Sequence, residues 1–288
     1  MKQANSDLLN KITGFAKTQK DIQFLGLIGS SSNDESLDDE YSDIDLVLVT
    51  DSLKRYFAEE EWLSSIDEVW VTFIESAADI NYWERRCVFS NGLDVDFVLV
   101  DKEKLLDSTG AFPVLHDICR KTMKVLLDKD NYREQFNRFM NTGRKQYTDP
   151  TQEEYCNLVN DFYFHYLWTY KKCLRGEYWV ALQCVNNYLK SKTLSMIEWY
   201  EHALHGNEYN TFYQGRFVEK WIDEPIKKEL ETIYSAYGKE NIISALDANM
   251  HLFTRLAKMV GESQKFDFPE KRVDKLINWV RTNYKDRG

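Results

Sequence analysis

The stretch Ile22-Gln23-Phe24-Leu25-Gly26-Leu27-Ile28-Gly29-Ser30, with Ser42-Asp43-Ile44-Asp45-Leu46-Val47-Leu48-Val49 after a polar segment, decides how the first half of the chain folds. Both hold compact apolar runs of strand length, and the second adds β-branched residues. The first run ends on Gly-Ser. The second begins on two carboxylates two residues apart, which in a strand share one face, so Asp43 and Asp45 project together. Neighbouring carboxylates repel, and a hard, oxygen-seeking cation between them lets both stay ionised; Mg2+ is the usual choice.

Leu8, Leu9, Ile12, Phe15 and Ala16 recur at helical spacing before the first strand, and Val69 to Ile74 reads as a third strand. Arg86 to Ser90 and Leu93 to Val100 are strand-like runs separated by Asn91-Gly92, a strong hairpin signal, so they are expected to pair antiparallel. The second of these carries Asp96 among Val95, Phe97 and Val98, where an unpartnered carboxylate would be costly. Placed beside the strand of Asp43 and Asp45, it would complete three converging carboxylates, enough for two metal ions. Asp94 shares its face and is left unassigned. Gly29 lets backbone N–H groups approach a phosphate closely and Ser30 adds a donor. A Gly-Ser after a strand is usually an ordinary turn and a lone Asp-x-Asp usually lies on the surface; the conjunction of all these features is far rarer.

Beyond Val125-Leu126-Leu127-Asp128 the pattern changes. From Thr148-Asp149-Pro150 onward it is helical, with Gly176, Gly206 and Gly261 as punctuation. The expected architecture is α+β: a mixed, twisted sheet domain over residues 1–147, then an all-helical domain over 148–288 that binds substrate, with the boundary near residues 145 to 150. His202 and His205 share a helix face without an H-E-x-x-H arrangement and read as surface or core histidines. The acidic run Asp34 to Glu40 reads as a solvated loop.

Taken together, Gly29-Ser30, Asp43, Asp45 and Asp96 resemble the pattern of the DNA polymerase beta-type nucleotidyltransferase superfamily. Within it, Glu61-Trp62-Leu63, Lys124 to Asp130, Met196-Ile197-Glu198-Trp199, Arg216 to Lys220 and Leu252-Phe253-Thr254-Arg255 are similar to segments of the aminoglycoside 6-adenylyltransferases, over nearly the whole length. The resemblance implies transfer of AMP from the co-substrate ATP to an aminoglycoside hydroxyl with two Mg2+ ions, which inactivates the drug. It gives Asp43, Asp45 and Asp96 the metal and catalytic roles. The family usually follows Gly-Ser with Arg; Ser31 stands there, so nucleotide binding would fall to Gly29, Ser30, Ser31 and a cation from elsewhere such as Lys129. Gln183 replaces an acidic residue of the family's helical domain. Other acceptors (a lincosamide, another metabolite or a protein) and a non-catalytic nucleotide-binding module remain open at this point.

A formal net charge of -10 speaks against a general nucleic-acid binder and suits a cationic small acceptor. Among the five cysteines no C-x-x-C pair occurs, and no apolar run suffices to span a bilayer. A cytoplasmic protein, monomeric or weakly dimeric and away from membranes, is the expectation. Carboxylates at Glu153, Glu154, Asp161, Glu177 and Glu198 are mostly solvated charges, some of which would line an acceptor cleft.

Overall fold

A computed structural model of the chain describes residues 3–29, 41–77, 82–104, 123–133 and 147–285. Residues 1–145 and 146–288 form two compact units. In the first, helix α1 (Gln3–Thr18) leads into β1 (Ile22–Ile28), β2 (Ile44–Thr50), α2 (Leu53–Ala58), α3 (Glu61–Ser64), β3 (Val69–Ala77), β4 (Tyr82–Phe89), β5 (Leu93–Asp101) and β6 (Lys124–Asp128). The strands make one mixed sheet in the order β3-β4-β5-β2-β1-β6. Only β2 and β5 run parallel among these pairs; the others are antiparallel.

The two central strands read as continuous apolar runs because they are buried: every residue of β1 is buried, and in β2 only Asp45 is not fully so. Trp62 of α3 ties helices to sheet, with ring centroids 5.8 Å from Phe15, 5.2 Å from Tyr56 and 5.1 Å from Phe97. Edge-on contacts of this kind add to the large apolar area such rings bury. The strand ends are held as well: buried Asn5 donates to the Ser42 carbonyl at 3.1 Å, one residue before Asp43.

The hairpin at Asn91-Gly92 forms, with a three-residue connection, Ser90–Gly92. Asn91 (φ 64°) and Gly92 (φ 69°) both take the left-handed region that Asn and Gly tolerate best.

The second unit is helical: α4 (Gln152–Leu174), α5 (Tyr178–Gln183), a π turn at Cys184–Tyr188, α6 (Leu189–His205), α7 (Val218–Trp221), α8 (Glu224–Leu230), α9 (Lys239–Gln264) and α10 (Glu270–Lys285). Helix α4 starts later than Thr148-Asp149-Pro150 suggests. Its N-cap is Thr151, which accepts from Glu154 N–H while Glu154 accepts from Thr151 N–H, a capping box. Gly206 is the C-cap of α6, whereas Gly261 lies inside the last turn of α9 for packing reasons. A Cβ there would stand 2.9 Å from Tyr155 Oη and 3.1 Å from the Phe266 carbonyl. The core of this unit centres on Phe162 and Phe253, stacked at 3.8 Å. No described helix is long and apolar enough to cross a membrane, and Cys87, Cys156, Cys173 and Cys184 are free thiols.

Candidate active site

Parallel pairing of β2 with β5 places Asp45 directly opposite Asp96, and Asp43 precedes β2 by one residue. Side chains two apart and in register across neighbouring strands meet on one face. Carboxylate oxygens of Asp43, Asp45 and Asp96 lie within 4.8 Å of one another. Burial, then the charges of Asp43 and Asp96, pushes the Asp45 carboxyl up to about 7. Burial likewise lifts Asp96, to about 6, with Arg86 pulling the other way. Both shifts come first from burial and then from neighbouring negative charge, and a cation bound here would oppose them.

Gly29 directly follows β1 beside this group, since Ile28, the last residue of that strand, pairs with Asp45. Its φ is +73°, and a Cβ would fall 2.2 Å from Asp45 Oδ2. The position therefore excludes a side chain twice over, by backbone conformation and by the carboxylate that fills the space. Ser30 and Ser31 lie outside the described residues.

Lys129 is not brought to the carboxylates. Its N–H donates to the Gln23 carbonyl and its Nζ to the carbonyls of Gln19 (2.5 Å) and Ala16 (3.5 Å). Gln23 and Ile28 are at opposite ends of β1, roughly 16 Å apart at about 3.3 Å per residue, so Lys129 closes the end of α1 instead.

Among the described residues Arg86 is a cation that does reach the site: it lies on β4 directly opposite Asp96 of β5. Its Nη1 is 3.5 Å from Asp96 Oδ2 and its Nη2 donates to Glu84 Oε2 at 3.0 Å. Its Nε lies 2.7 Å from Glu75 Oε2, yet the N–H is misaligned, so the contact is an ion pair and not a hydrogen bond. Arg85 faces the other way, as alternation in a strand requires. It is buried and donates to the carbonyls of Tyr56 (3.1 Å) and Phe57 (2.5 Å) and to Thr72 Oγ1 (3.1 Å).

A cavity of about 220 Å3 opens on this face, lined among others by Asp43, Asp94, Asp96, Arg86, Val71 and Phe73. It joins a carboxylate cluster to an apolar wall. With Glu75 and Glu84 beside Arg86, acid outweighs base. Such a face can hold divalent cations and attract a cationic ligand, with Arg86 placed to meet an anion.

Of the helical unit's carboxylates, several already have structural duties. Asp161 accepts from Tyr188 Oη (2.9 Å) and pairs with His165 (2.7 Å) and Lys192 (2.9 Å). Glu177 pairs with Lys172 and Arg175, and Glu154 serves the cap of α4. Glu198 is different: burial alone pushes its carboxyl up to about 7. Gln183 is exposed and accepts from Asn187 Nδ2 at 2.6 Å.

The sequence model of the streptomycin adenylyltransferase family matches residues 1–282. An aminoglycoside 6-adenylyltransferase of Staphylococcus aureus is 23% identical, over 97% of this chain and 98% of its own length. One from Bacillus subtilis (strain 168) is 21% identical over 93% of each. A crystal structure of an aminoglycoside 6-adenyltransferase from Bacillus subtilis superposes with a TM-score of 0.47 at 17% identity, covering 97% of both chains.

Proposed function

The chain belongs to the streptomycin adenylyltransferase family, a family of nucleotidyltransferase enzymes, and from that premise we propose that it moves AMP from ATP to a hydroxyl of an aminoglycoside and releases pyrophosphate. The observation that carries this reading is the meeting of Asp43, Asp45 and Asp96 within 4.8 Å on one face of the sheet. A donor set of carboxylate oxygens only, with two of its members pushed toward neutrality by burial and then by like charge, fits Mg2+. Bound there, two such ions would polarise the α-phosphate and offset charge on the departing pyrophosphate.

The residues of the chain supply the rest. Asp96 takes the proton of the acceptor hydroxyl as general base. The acceptor oxygen bonds to the α-phosphorus as the bond to the bridging oxygen of pyrophosphate breaks. Gly29 leaves room for Asp45, and Ser30 and Ser31 are assigned to the terminal phosphates as the family resemblance implies. Arg86, rather than Lys129, is the cation assigned to the triphosphate. Residues 1–147 form the catalytic domain in this reading, and residues 148–288 form the acceptor-binding domain.

Asp94, Glu75 and Glu84 add to the negative field around the three aspartates, with Arg86 opposing them. That imbalance favours an acceptor bearing ammonium groups.

Labelled ATP and Mg2+ offered with streptomycin, kanamycin and lincomycin in parallel test the reading. An aminoglycoside heavier by one AMP, formed with stoichiometric pyrophosphate, is the expected product. Transfer to lincomycin alone would overturn the acceptor assignment, and no pyrophosphate with any acceptor would overturn the chemistry.

A further inference from the structure

In the helical unit, Glu201 and His205 sit one turn apart on α6, a spacing that brings their side chains together. Asp223 meets them from the start of α8, where it occupies the N-cap position without making a side-chain capping bond. Glu201 is fully buried, at 0% exposure. Its Oε1 accepts from Asp223 N–H at 2.9 Å, but its Oε2 has no hydrogen-bond donor. An ionised oxygen withdrawn from water without a donor is costly, so something at this point should meet it.

The distances indicate what. His205 Nε2 is 3.3 Å from Glu201 Oε2 and 3.5 Å from Asp223 Oδ1, and one ligand atom from each of the three residues lies within 4.8 Å of the other two. These separations exceed those of good N–H···O bonds, about 2.7–3.2 Å. They match the edge of a tetrahedron around a metal bonded at about 2.0–2.1 Å, which is roughly 3.3–3.4 Å. We propose that Glu201, His205 and Asp223 bind a divalent transition-metal ion of the zinc class, at a site sharing no residue with the Asp43, Asp45 and Asp96 group.

Mixed imidazole and carboxylate donors are what zinc accepts, whereas Mg2+ prefers oxygen alone. The His205 ring is 36% exposed, which leaves an entry path and room for water as the fourth ligand. Its ring is positioned by Tyr209, with centroids 4.4 Å apart, and Asp223 N–H fixes the Glu201 carboxylate through Oε1. Such outer contacts orient ligands. The ion fastens the last turn of α6 to the start of α8 and so closes the segment between them.

The test uses the full-length chain with Asp45→Asn and Asp96→Asn, so that the sheet carboxylates do not take up the probe. The chelator-stripped protein is dialysed against zinc chloride, bound metal is counted, and melting is followed with and without zinc. One equivalent per chain and a raised Tm are expected. Adding His205→Ala should abolish the Tm shift and weaken binding at least about 100-fold. Glu201→Gln, which keeps the volume and the acceptor for Asp223 N–H, should do the same and covers misfolding of the first variant. Cobalt(II) added to the unsubstituted chain should give the intense visible bands of a tetrahedral site. A folded protein that takes up no zinc, or zinc retained in both ligand variants, or no such cobalt bands, would overturn the proposal; those results would leave His205 as a plain polar contact of the two carboxylates.

Discussion

Replacing Gly29 by Ala asks a methyl group to occupy space that Asp45 already fills. The new Cβ would stand 2.2 Å from Asp45 Oδ2, against 3.4 Å or more for ordinary contact, so the carboxylate must retreat by about 1.2 Å (3.4 − 2.2). Misplacing a catalytic group by about 1 Å costs on the order of 100-fold in rate. The fold should suffer far less. The left-handed backbone, φ +73°, adds about 1–2 kcal/mol of strain for a residue with a side chain. At about 2–4 °C per kcal/mol for a chain of this size class, Tm should drop by about 2–8 °C. Pyrophosphate release with ATP, Mg2+ and acceptor, alongside a melt, separates the two effects. A folded Gly29→Ala protein with kcat/KM within about threefold of the parent would refute the idea that this glycine exists to seat Asp45.

Four further outcomes follow from other positions. Asp45→Asn should lower kcat by on the order of 10²–10³-fold with Tm held or raised, because the charge it removes is destabilised by burial; a Tm lowered by several degrees would contradict this. Arg86→Ala should raise the KM for ATP by about tenfold or more, the size of one lost charge-assisted hydrogen bond to phosphate, and an unchanged KM would remove Arg86 from the nucleotide site. Lys190 is buried, donates to the Val185 carbonyl at 2.9 Å and is pushed down to about 7 by burial. The unfolded chain therefore binds more protons between pH 7 and about 10.5, so stability rises with pH across that window. Lys190→Met should be more stable than the parent by a few kcal/mol at pH 6, which is about 1.4 kcal/mol per pH unit less about 1 for the lost hydrogen bond. The gap should close toward pH 10, and urea titrations at the two pH values give the comparison. Asp247 accepts from the buried hydroxyls of Tyr166 (2.9 Å) and Tyr170 (2.6 Å). Asp247→Ala should cost about 1–3 kcal/mol in urea unfolding by removing the charged acceptor that both hydroxyls share, with Asp247→Asn milder; equal midpoints for Ala and parent would count against the network.

The sheet was legible wherever burial left an unbroken apolar run. Ile22–Ile28 and Ile44–Thr50 read as strands because both faces are covered, and the carboxylate pair at the start of the second was conspicuous for the same reason. Asp96 was legible as a polar residue out of place. Arg86 was not, because its partner depends on the register of the hairpin. A two-residue loop at Asn91-Gly92 would set Ser90 opposite Leu93, whereas the three-residue connection sets Phe89 there and Arg86 opposite Asp96. A slip of one residue moves every side chain to the other face, and local sequence does not fix the loop length. Lys129 failed for the converse reason: nearness in the chain to an apolar strand says nothing about which end of that strand it meets. His205 looked like an ordinary surface histidine because its neighbour Asp223 comes from another helix start, a contact no helical spacing encodes. Kinship was carried by core segments such as Glu61-Trp62-Leu63, whose Trp62 packs α3 against the sheet.

Crystals of the full chain grown with a non-hydrolysable ATP analogue and soaked in Mn2+, in place of Mg2+, bear most directly on the sheet carboxylates. Anomalous peaks bonded to Asp43, Asp45 and Asp96, with the analogue's phosphates against the same ions, are what the account predicts. Phosphates seated elsewhere, or no manganese on these three side chains, would contradict it.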